Sequence, residues 1–560
     1  MKRFFGCPLR AAAVSAAAVL FAAGAVAGPM FSRDLRTTAG VSEYHDVPMT
    51  DGTPLATDVY LPDAGGGPWP VILLRNTYTR NMNLNRYVND GYAAVVQAPR
   101  GLHGSGGEAH AFYYDGWREG LTDGADTVAW VKKQPWCNGK IATTGESALA
   151  MVQMLMAPVT RDVAAQYIYL TPANFYFEVV YPGGAFRKNL VEGWLTLLGQ
   201  YDVAAVYRGH PVYDDFWSYY NVVARAKDIT APAVFMGGWY DIFQPGTVDA
   251  FISRETEGGE GARGKNYLVM GWRTHNNDSS PDYQLPSRDP AVSSGDIANR
   301  LFSHYLKGDE KALDGIPKVQ YYVMGDDRDP NAPGNEWRTA ETWPPFPTEE
   351  AAFHLAPDGL LSRDAVPPAG SLEFTFDPKN PVPTLGGANL LPNLKAGPYD
   401  QRKVSSRPDI LKFATPVLEA PVETVGRLRV TLYVSSDAPD TDFTAKLVDV
   451  FPDGDGREIN VLDGIRRVKT RDGYDKVTPP LTGPGQVVRL DIDLWNTAWV
   501  FNKGHRIAVH ISSSNYPKFD VNPNTGADHP EPGAELRKAQ NRVHFGGDTP
   551  SALWLPVKKS

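Results

Sequence analysis

Three prolines within five residues, Trp343-Pro344-Pro345-Phe346-Pro347, split this chain into two stretches whose hydrophobic patterns differ in period. Such a run continues neither a helix nor a central strand, because proline lacks the N–H and fixes φ. The two stretches must therefore build separate layers. Before the break, short apolar runs at 55–61, 71–74, 93–97, 141–144, 164–170, 233–236, 267–270 and 319–324 read as strands, while 123–132 and 148–156 have helical spacing. Strands alternating with helices predict an α/β fold with a mostly parallel, doubly wound sheet. After the break nearly everything reads as strand (371–376, 427–435, 443–451, 487–494, 507–513), punctuated by Asp, Gly, Pro and Asn clusters. That pattern predicts a β-sandwich or jelly roll.

The expected organisation is an α/β domain at 28–171 and 229–342, a helical insertion capping it at 172–228, and an all-β domain at 348–560. The insertion is rich in aromatic residues, among them Tyr176, Phe177, Trp194, Trp217 and Tyr220. Two readings of these stay open, packing core and substrate wall. At the N-terminus, Lys2, Arg3 and Arg10 flank an Ala-rich apolar run, and Ala25-Val26-Ala27 precedes Gly28. This predicts a signal peptide over 1–27, cleaved between Ala27 and Gly28, and export to the periplasm or beyond. The run is too short and Ala-rich for a membrane span. The segment carries three basic and no acidic side chains, so without it the net charge of −9 becomes −12. A chain this acidic is a poor binder of nucleic acid or anionic membrane. Only Cys137 then remains, so no internal disulfide is expected. The acids Asp440, Asp453 and Asp455 match no metal-loop spacing and read as turns; neither metal nor organic cofactor is expected.

Gly145-Glu146-Ser147 joins a predicted strand to a predicted helix. A sharp turn there exposes a serine Oγ at a helix N-terminus, where free N–H groups and the dipole stabilise an oxyanion; a serine serving only as a helix cap has the same local signature. To act as a nucleophile it needs a neutral imidazole, itself oriented by a carboxylate. Asp241 and His275 each follow a predicted strand, where doubly wound sheets place their ligands. Of eleven histidines, His354, His505, His510, His529 and His544 fall in the β-rich tail, and His103, His110 and His210 precede the acid. His45 and His304 follow no comparable strand end, which makes His275 the favoured base.

Around these residues the chain resembles the cocaine esterase-like (CocE/NonD) serine hydrolases, relatives of X-prolyl dipeptidyl peptidases and α-amino-acid ester hydrolases. The resemblance spans about 47–526 and rests on Asp51-Gly52-Thr53-Pro54-Leu55, Arg75-Asn76-Thr77-Tyr78, Trp136-Cys137-Asn138-Gly139-Lys140, Gly238-Trp239-Tyr240-Asp241, Tyr399-Asp400-Gln401-Arg402, the run from Ser435 to Phe443, Gly504-His505-Arg506 and Ser512-Ser513-Ser514-Asn515. It implies an α/β-hydrolase domain with a helical cap and a C-terminal jelly roll. It also implies Ser147 as nucleophile, Asp241 as orienting acid, His275 as base, the Tyr78 hydroxyl and the Ala148 N–H as oxyanion hole, and Phe243 against the acyl group. Trp239 and Trp272, beside the acid and the base, are expected to line the substrate site.

The chain departs from the family at several positions. Ala148 stands where an aromatic is usual and Ala150 where Gly is usual, which keeps the N–H donor and is expected to widen the acyl pocket. Glu146 is expected either to face solvent or to act on His275 or a cationic substrate. No carboxylate follows Asp241 before Asp249, which weakens an aminoacyl reading. The cap acids Glu178, Glu192, Asp214 and Asp215 have no place assigned by sequence. The expected activity is cleavage of carboxylic esters through an acyl-serine. X-Pro dipeptidyl peptidase or α-amino-acid ester hydrolase activity, and a glycan-binding protein with a degenerate triad, are the alternatives. The expected partner is a small ester or short peptide, with a homodimer as the oligomer.

Overall fold

The computed structural model describes residues 40–112, 114–285, 293–363, 365–452 and 454–559. The expected signal segment at 1–27 and Asp453 lie outside the described residues. The first domain is built on ten strands: β1 (Glu43–Pro48), β2 (Pro54–Tyr60), β3 (Trp69–Arg75), β4 (Ala93–Gln97), β5 (Cys137–Glu146), β6 (Val163–Tyr169), β7 (Ala233–Tyr240), β8 (Tyr267–Thr274), β9 (Val319–Val323) and β10 (Glu336–Ala340). Their order is β1-β2-β4-β3-β5-β6-β7-β8-β9-β10. The pairs from β4 to β9 are parallel, and the antiparallel pairs lie at the two edges. The helices are α1 (Asn85–Asn89), α2 (Asp123–Lys132), α3 (Ala148–Met156), α4 (Lys188–Leu197), α5 (Asp202–Arg208), α6 (Asp215–Ser218), α7 (Gln244–Glu257) and α8 (Ser294–Phe302).

The continuous apolar run of β3 shows why this sheet is covered on both faces. Val71 and Leu73 pack with Val128 and Val131 of α2, whereas Ile72 and Leu74 pack with Leu301 and Phe302 of α8. Successive strand residues point to opposite faces, so a strand apolar at every position needs a layer on each side.

Strands β7 and β8 run four residues further than sequence reading predicts, through Gly237-Gly238 and Gly271. The sequence reading ends both strands just before these glycines. A Cβ on Gly238 would lie 2.2 Å from the Arg273 carbonyl oxygen, so here glycine permits close approach of two strands. The register between β7 and β8 shifts at the same place, between Gly238 and Tyr240, a bulge that re-aims the following residues.

Helices α4, α5 and α6 lie between β6 and β7. Tyr176, Tyr181 and Trp217 are fully buried there, with ring centroids 5.3–6.0 Å apart, so most of the aromatic excess of this segment is packing core. Within the insertion, α4 and α5 are separated around Gly199, which has φ +70°.

The second domain is all β: β11 (Thr348–Ala356), β12 (Leu360–Arg363), β13 (Gly370–Phe376), β14 (Leu411–Ala414), β15 (Val422–Ser436), β16 (Asp442–Val450), β17 (Glu458–Arg467), β18 (Val488–Phe501), β19 (Arg506–Ser512), β20 (Ala539–Phe545) and β21 (Ala552–Lys558). It is joined to the first domain by more than the linker. Met324, just past β9, exchanges backbone hydrogen bonds with Ala498 and Val500 of β18 at 2.9 and 2.8 Å. The Gln244 side-chain amide, at the start of α7, donates to the Asn496 carbonyl at 2.9 Å and accepts its N–H at 3.2 Å. Arg427 of β15 bonds both Asp249 of α7 and Asp493 of β18.

His505 is buried at this joint. Its Nδ1 pairs with Asp449 Oδ1 at 2.8 Å and its Nε2 with Asp326 Oδ2 at 3.3 Å. Burial opposes an imidazolium charge, but the hydrogen bonds to Asp326 and Asp449 outweigh it and push the pKa up to about 9. A raised histidine pKa contributes stability that is fully present below the unfolded value, about 6.5, and is lost as pH rises through the folded value. The gap corresponds to on the order of 3 kcal/mol, an upper figure because burial also pushes the Asp449 carboxyl up, which costs stability near neutrality. Thermal unfolding midpoints are therefore expected to fall between pH 7 and pH 10, and to fall less in His505→Gln. Equal drops in the two proteins would show that the joint does not titrate through His505.

Candidate active site

Ser147 follows β5 with φ +55° and ψ −120°, a conformation uncommon for a residue other than glycine. The turn is held by its N–H on the Tyr169 carbonyl at 2.9 Å, and by its own carbonyl, which accepts the N–H groups of Ala150 and Met151 at 2.9 Å each. Gly145 makes the turn sterically feasible, since a Cβ there would lie 2.4 Å from the Leu149 Cβ. Every residue of α3 is buried, and Ala148 and Ala150 completely so. Helix and strand thus grip the serine from below, and its Oγ lies above them.

The structure brings Ser147, Asp241 and His275 together from the ends of β5, β7 and β8. His275 Nε2 lies 2.9 Å from Ser147 Oγ, and His275 Nδ1 lies 2.5 Å from Asp241 Oδ2. Asp241 is fully buried, and its other oxygen accepts the Phe243 N–H at 2.7 Å. A carboxylate on Nδ1 keeps the proton on that nitrogen and leaves Nε2 with a lone pair toward the serine. The free N–H groups at the start of α7, three residues on, favour the negative charge. Phe243 stands edge-on to the His275 ring at 5.5 Å and 90°.

Tyr78 follows β3 in a turn closed by its N–H on Asn76 Oδ1 at 2.9 Å. Its hydroxyl oxygen accepts the Trp194 indole N–H at 3.1 Å. With Trp194 donating to the oxygen, the phenol's own hydrogen remains available to a further acceptor. Desolvation raises the Tyr78 pKa above 10, and the Glu146 charge adds to it, outweighing the Trp194 hydrogen bond. Tyr78 therefore keeps its proton at neutral pH. The Ala148 N–H stands at the first residue of α3, where helical N–H groups have no partner within the helix.

Trp194 is a site residue that sequence reading does not single out. It is 116 positions from Tyr78, and its only signal is membership of an aromatic-rich segment. Its ring stacks on Phe112 at 5.5 Å and 20°. Two residues expected to line the site are used for packing. The Trp239 indole N–H donates to the Tyr322 carbonyl at 2.7 Å and its ring meets Trp343. Trp272 packs on Tyr322 and Trp337. Both belong in place to the core between β7, β8, β9 and β10, because β7 and β8 continue as strands through them.

Glu146 is exposed, and its charge raises the pKa of Tyr78 and Tyr169. The cap acids are engaged elsewhere: Glu178 on the N–H groups of Ala173 and Asn174, Glu192 on Lys188 and Arg208, and Asp214 as the N-cap of α6 on Phe216. Asp215 is exposed in the first turn of that helix. In the second domain Asp442 pairs with Arg467, Asp440 accepts from Lys469 N–H and Asn522, and Asp455 pairs with Arg457. Among the described residues no group of three or more His, Cys, Asp or Glu is placed to hold a metal ion. Cys137 is half-buried and burial raises its thiol pKa.

Residues 51–206 and 196–277 match the family model described as X-Pro dipeptidyl-peptidase (S15 family), and residues 311–554 match the X-Pro dipeptidyl-peptidase C-terminal non-catalytic domain. A cocaine esterase of Rhodococcus sp. is 34% identical over 92% of this chain and 98% of its own length. Two solved structures share the fold. One is an aminopeptidase from a marine sediment Thaumarchaeota archaeon, with TM-score 0.77 and 22% identity over 96% of this chain and 100% of that one. The other is an α-amino-acid ester hydrolase, with TM-score 0.73 and 23% identity over 95% of this chain and 100% of that one.

Proposed function

Starting from the fact that the chain belongs to the CocE/NonD family of serine hydrolases, we propose that it is an exported carboxylesterase working through an acyl-enzyme on Ser147. The observation that carries this reading is the line from Ser147 Oγ through His275 to the buried Asp241, with contacts of 2.9 and 2.5 Å. His275 takes the serine proton as Oγ attacks the ester carbonyl, and Asp241 steadies the imidazolium that results. The tetrahedral oxyanion is met by the Tyr78 hydroxyl and the Ala148 N–H. Collapse expels the alcohol, which takes its proton from His275. Water then repeats the cycle on the acyl-serine.

Aromatic faces at Phe243 and Trp194 support an apolar or aromatic acyl group. Ester over amide is supported by two facts. The curated relative is named for an esterase, and of the cap acids Glu192 is ion-paired, Asp214 caps α6, Asp215 is exposed, and Glu178 lines a cavity that Ser147, Asp241 and His275 do not line.

A fluorophosphonate probe followed by peptide mapping tests the nucleophile: the label is expected on Ser147, and a label on another serine would overturn the assignment. Butyryl and benzoyl esters run beside a Gly-Pro amide test the substrate class. Faster turnover of the amide would favour the dipeptidyl-peptidase reading. N-terminal sequencing of the mature protein is expected to begin at Gly28.

A further inference from the structure

A cavity of about 360 Å³ lies where the segment after β6, helix α7 and the second domain meet. None of Ser147, Tyr78, Asp241 or His275 lines it. Phe177 and Tyr474, edge-to-face at 4.8 Å, line it together with Trp495 and Phe519. Trp495 has φ +73° and follows a register shift between β15 and β18. A bulky residue rarely takes that conformation, and bulges serve to re-aim side chains.

The charged lining is nearly all paired. Arg427 is taken by Asp249 and Asp493, and Lys518 by Asp463. Glu178 is the group left over. It is 4% exposed. Its Oε2 accepts the N–H groups of Ala173 and Asn174 at 2.6 and 3.1 Å, its Oε1 makes no hydrogen bond to the described residues, and the residue lines the cavity. Burial, helped by the Asp249 charge, pushes its pKa up to about 8.

A buried carboxyl with one bare oxygen is costly unless a donor reaches it. Four carboxyl groups against two already-paired cations make the cavity a poor host for an anion. Aromatic faces favour a cation carrying an apolar body, and the volume is that of a small-molecule site.

We propose that this cavity is a binding site, separate from the triad, for a small primary amine with an aromatic or apolar body. The ammonium is held by Glu178 Oε1, and the body lies among Phe177, Tyr474, Trp495 and Phe519.

Benzylamine is the probe, with benzyl alcohol and benzoate as its neutral and anionic counterparts. Binding is measured by calorimetry on the full chain as wild type, Glu178→Gln and Val223→Phe. Val223 lines the cavity without touching the chemistry, so its enlargement fills the space while leaving Glu178 in place. Benzylamine is expected to bind wild type about tenfold or more tightly than benzyl alcohol or benzoate, and Glu178→Gln and Val223→Phe to lose that margin. Ester turnover should be unchanged in both variants, so the outcome is independent of the assignment of Ser147. No binding to wild type, equal affinity for benzylamine and benzyl alcohol, or undiminished affinity in Val223→Phe would each overturn the proposal.

Discussion

Replacing Ser147 by Ala is expected to lower kcat on every ester by about 10⁴-fold or more, with the protein still folded. Without the Oγ no acyl-enzyme forms, and His275 has only water to deprotonate. What survives is the contribution of oxyanion donors and substrate binding, which do not depend on the nucleophile. The turn itself should persist, because it is built from backbone hydrogen bonds to Tyr169, Ala150 and Met151 and from Gly145. Circular dichroism and the unfolding midpoint are therefore expected to stay near wild type. A folded Ser147→Ala protein with undiminished turnover would remove the serine from the chemistry.

Tyr78→Phe is expected to cost about 10²- to 10³-fold in kcat, with little change in KM. The phenol donates to charge that develops only in the tetrahedral state, so its loss falls on the transition state more than on the bound ester. The Ala148 N–H would be left as the remaining donor. Trp194→Phe separates the two roles of Tyr78. It removes the indole N–H that occupies the phenol oxygen at 3.1 Å while leaving the phenol's own hydrogen, and should cost far less. A KM rise without a kcat loss in Tyr78→Phe would make Tyr78 a packing residue at the strand end.

Sequence periodicity located the elements that are buried on a regular schedule. The 93–97 strand and the 123–132 and 148–156 helices coincide with β4, α2 and α3 residue for residue, because glycine, proline or a polar residue lies within two positions of each end. The order of serine, acid and histidine at strand ends was legible for the same reason: strand ends in a parallel sheet share one edge. Glycines were harder to read, since Gly238 permits strand approach through the same lack of a Cβ that would permit a turn. Trp239 and Trp272 went with that misreading, and became core residues once the strands ran on through them. The Trp194 to Tyr78 hydrogen bond lies beyond any local pattern, as it depends on how the inserted helices settle over the sheet. Likewise nothing along the chain separates Glu178, folded back on its own turn, from Glu192, paired with Lys188 and Arg208.

The reciprocal amide pairing of Gln244 with Asn496 joins residues 252 positions apart, and it grips the helix whose first turn follows Asp241. During synthesis the whole first domain is made before its partner for this contact exists. Ser147 and His275 can be in place early, but the helix behind the acid gains its clamp only when β18 has been made and has paired with β15. Hydrolytic competence should therefore wait for the second domain, and a chain truncated before residue 488 should be folded in part yet slow on esters. The C-terminal domain would in that sense complete the support of the acid, through a contact the first domain does not hold by itself.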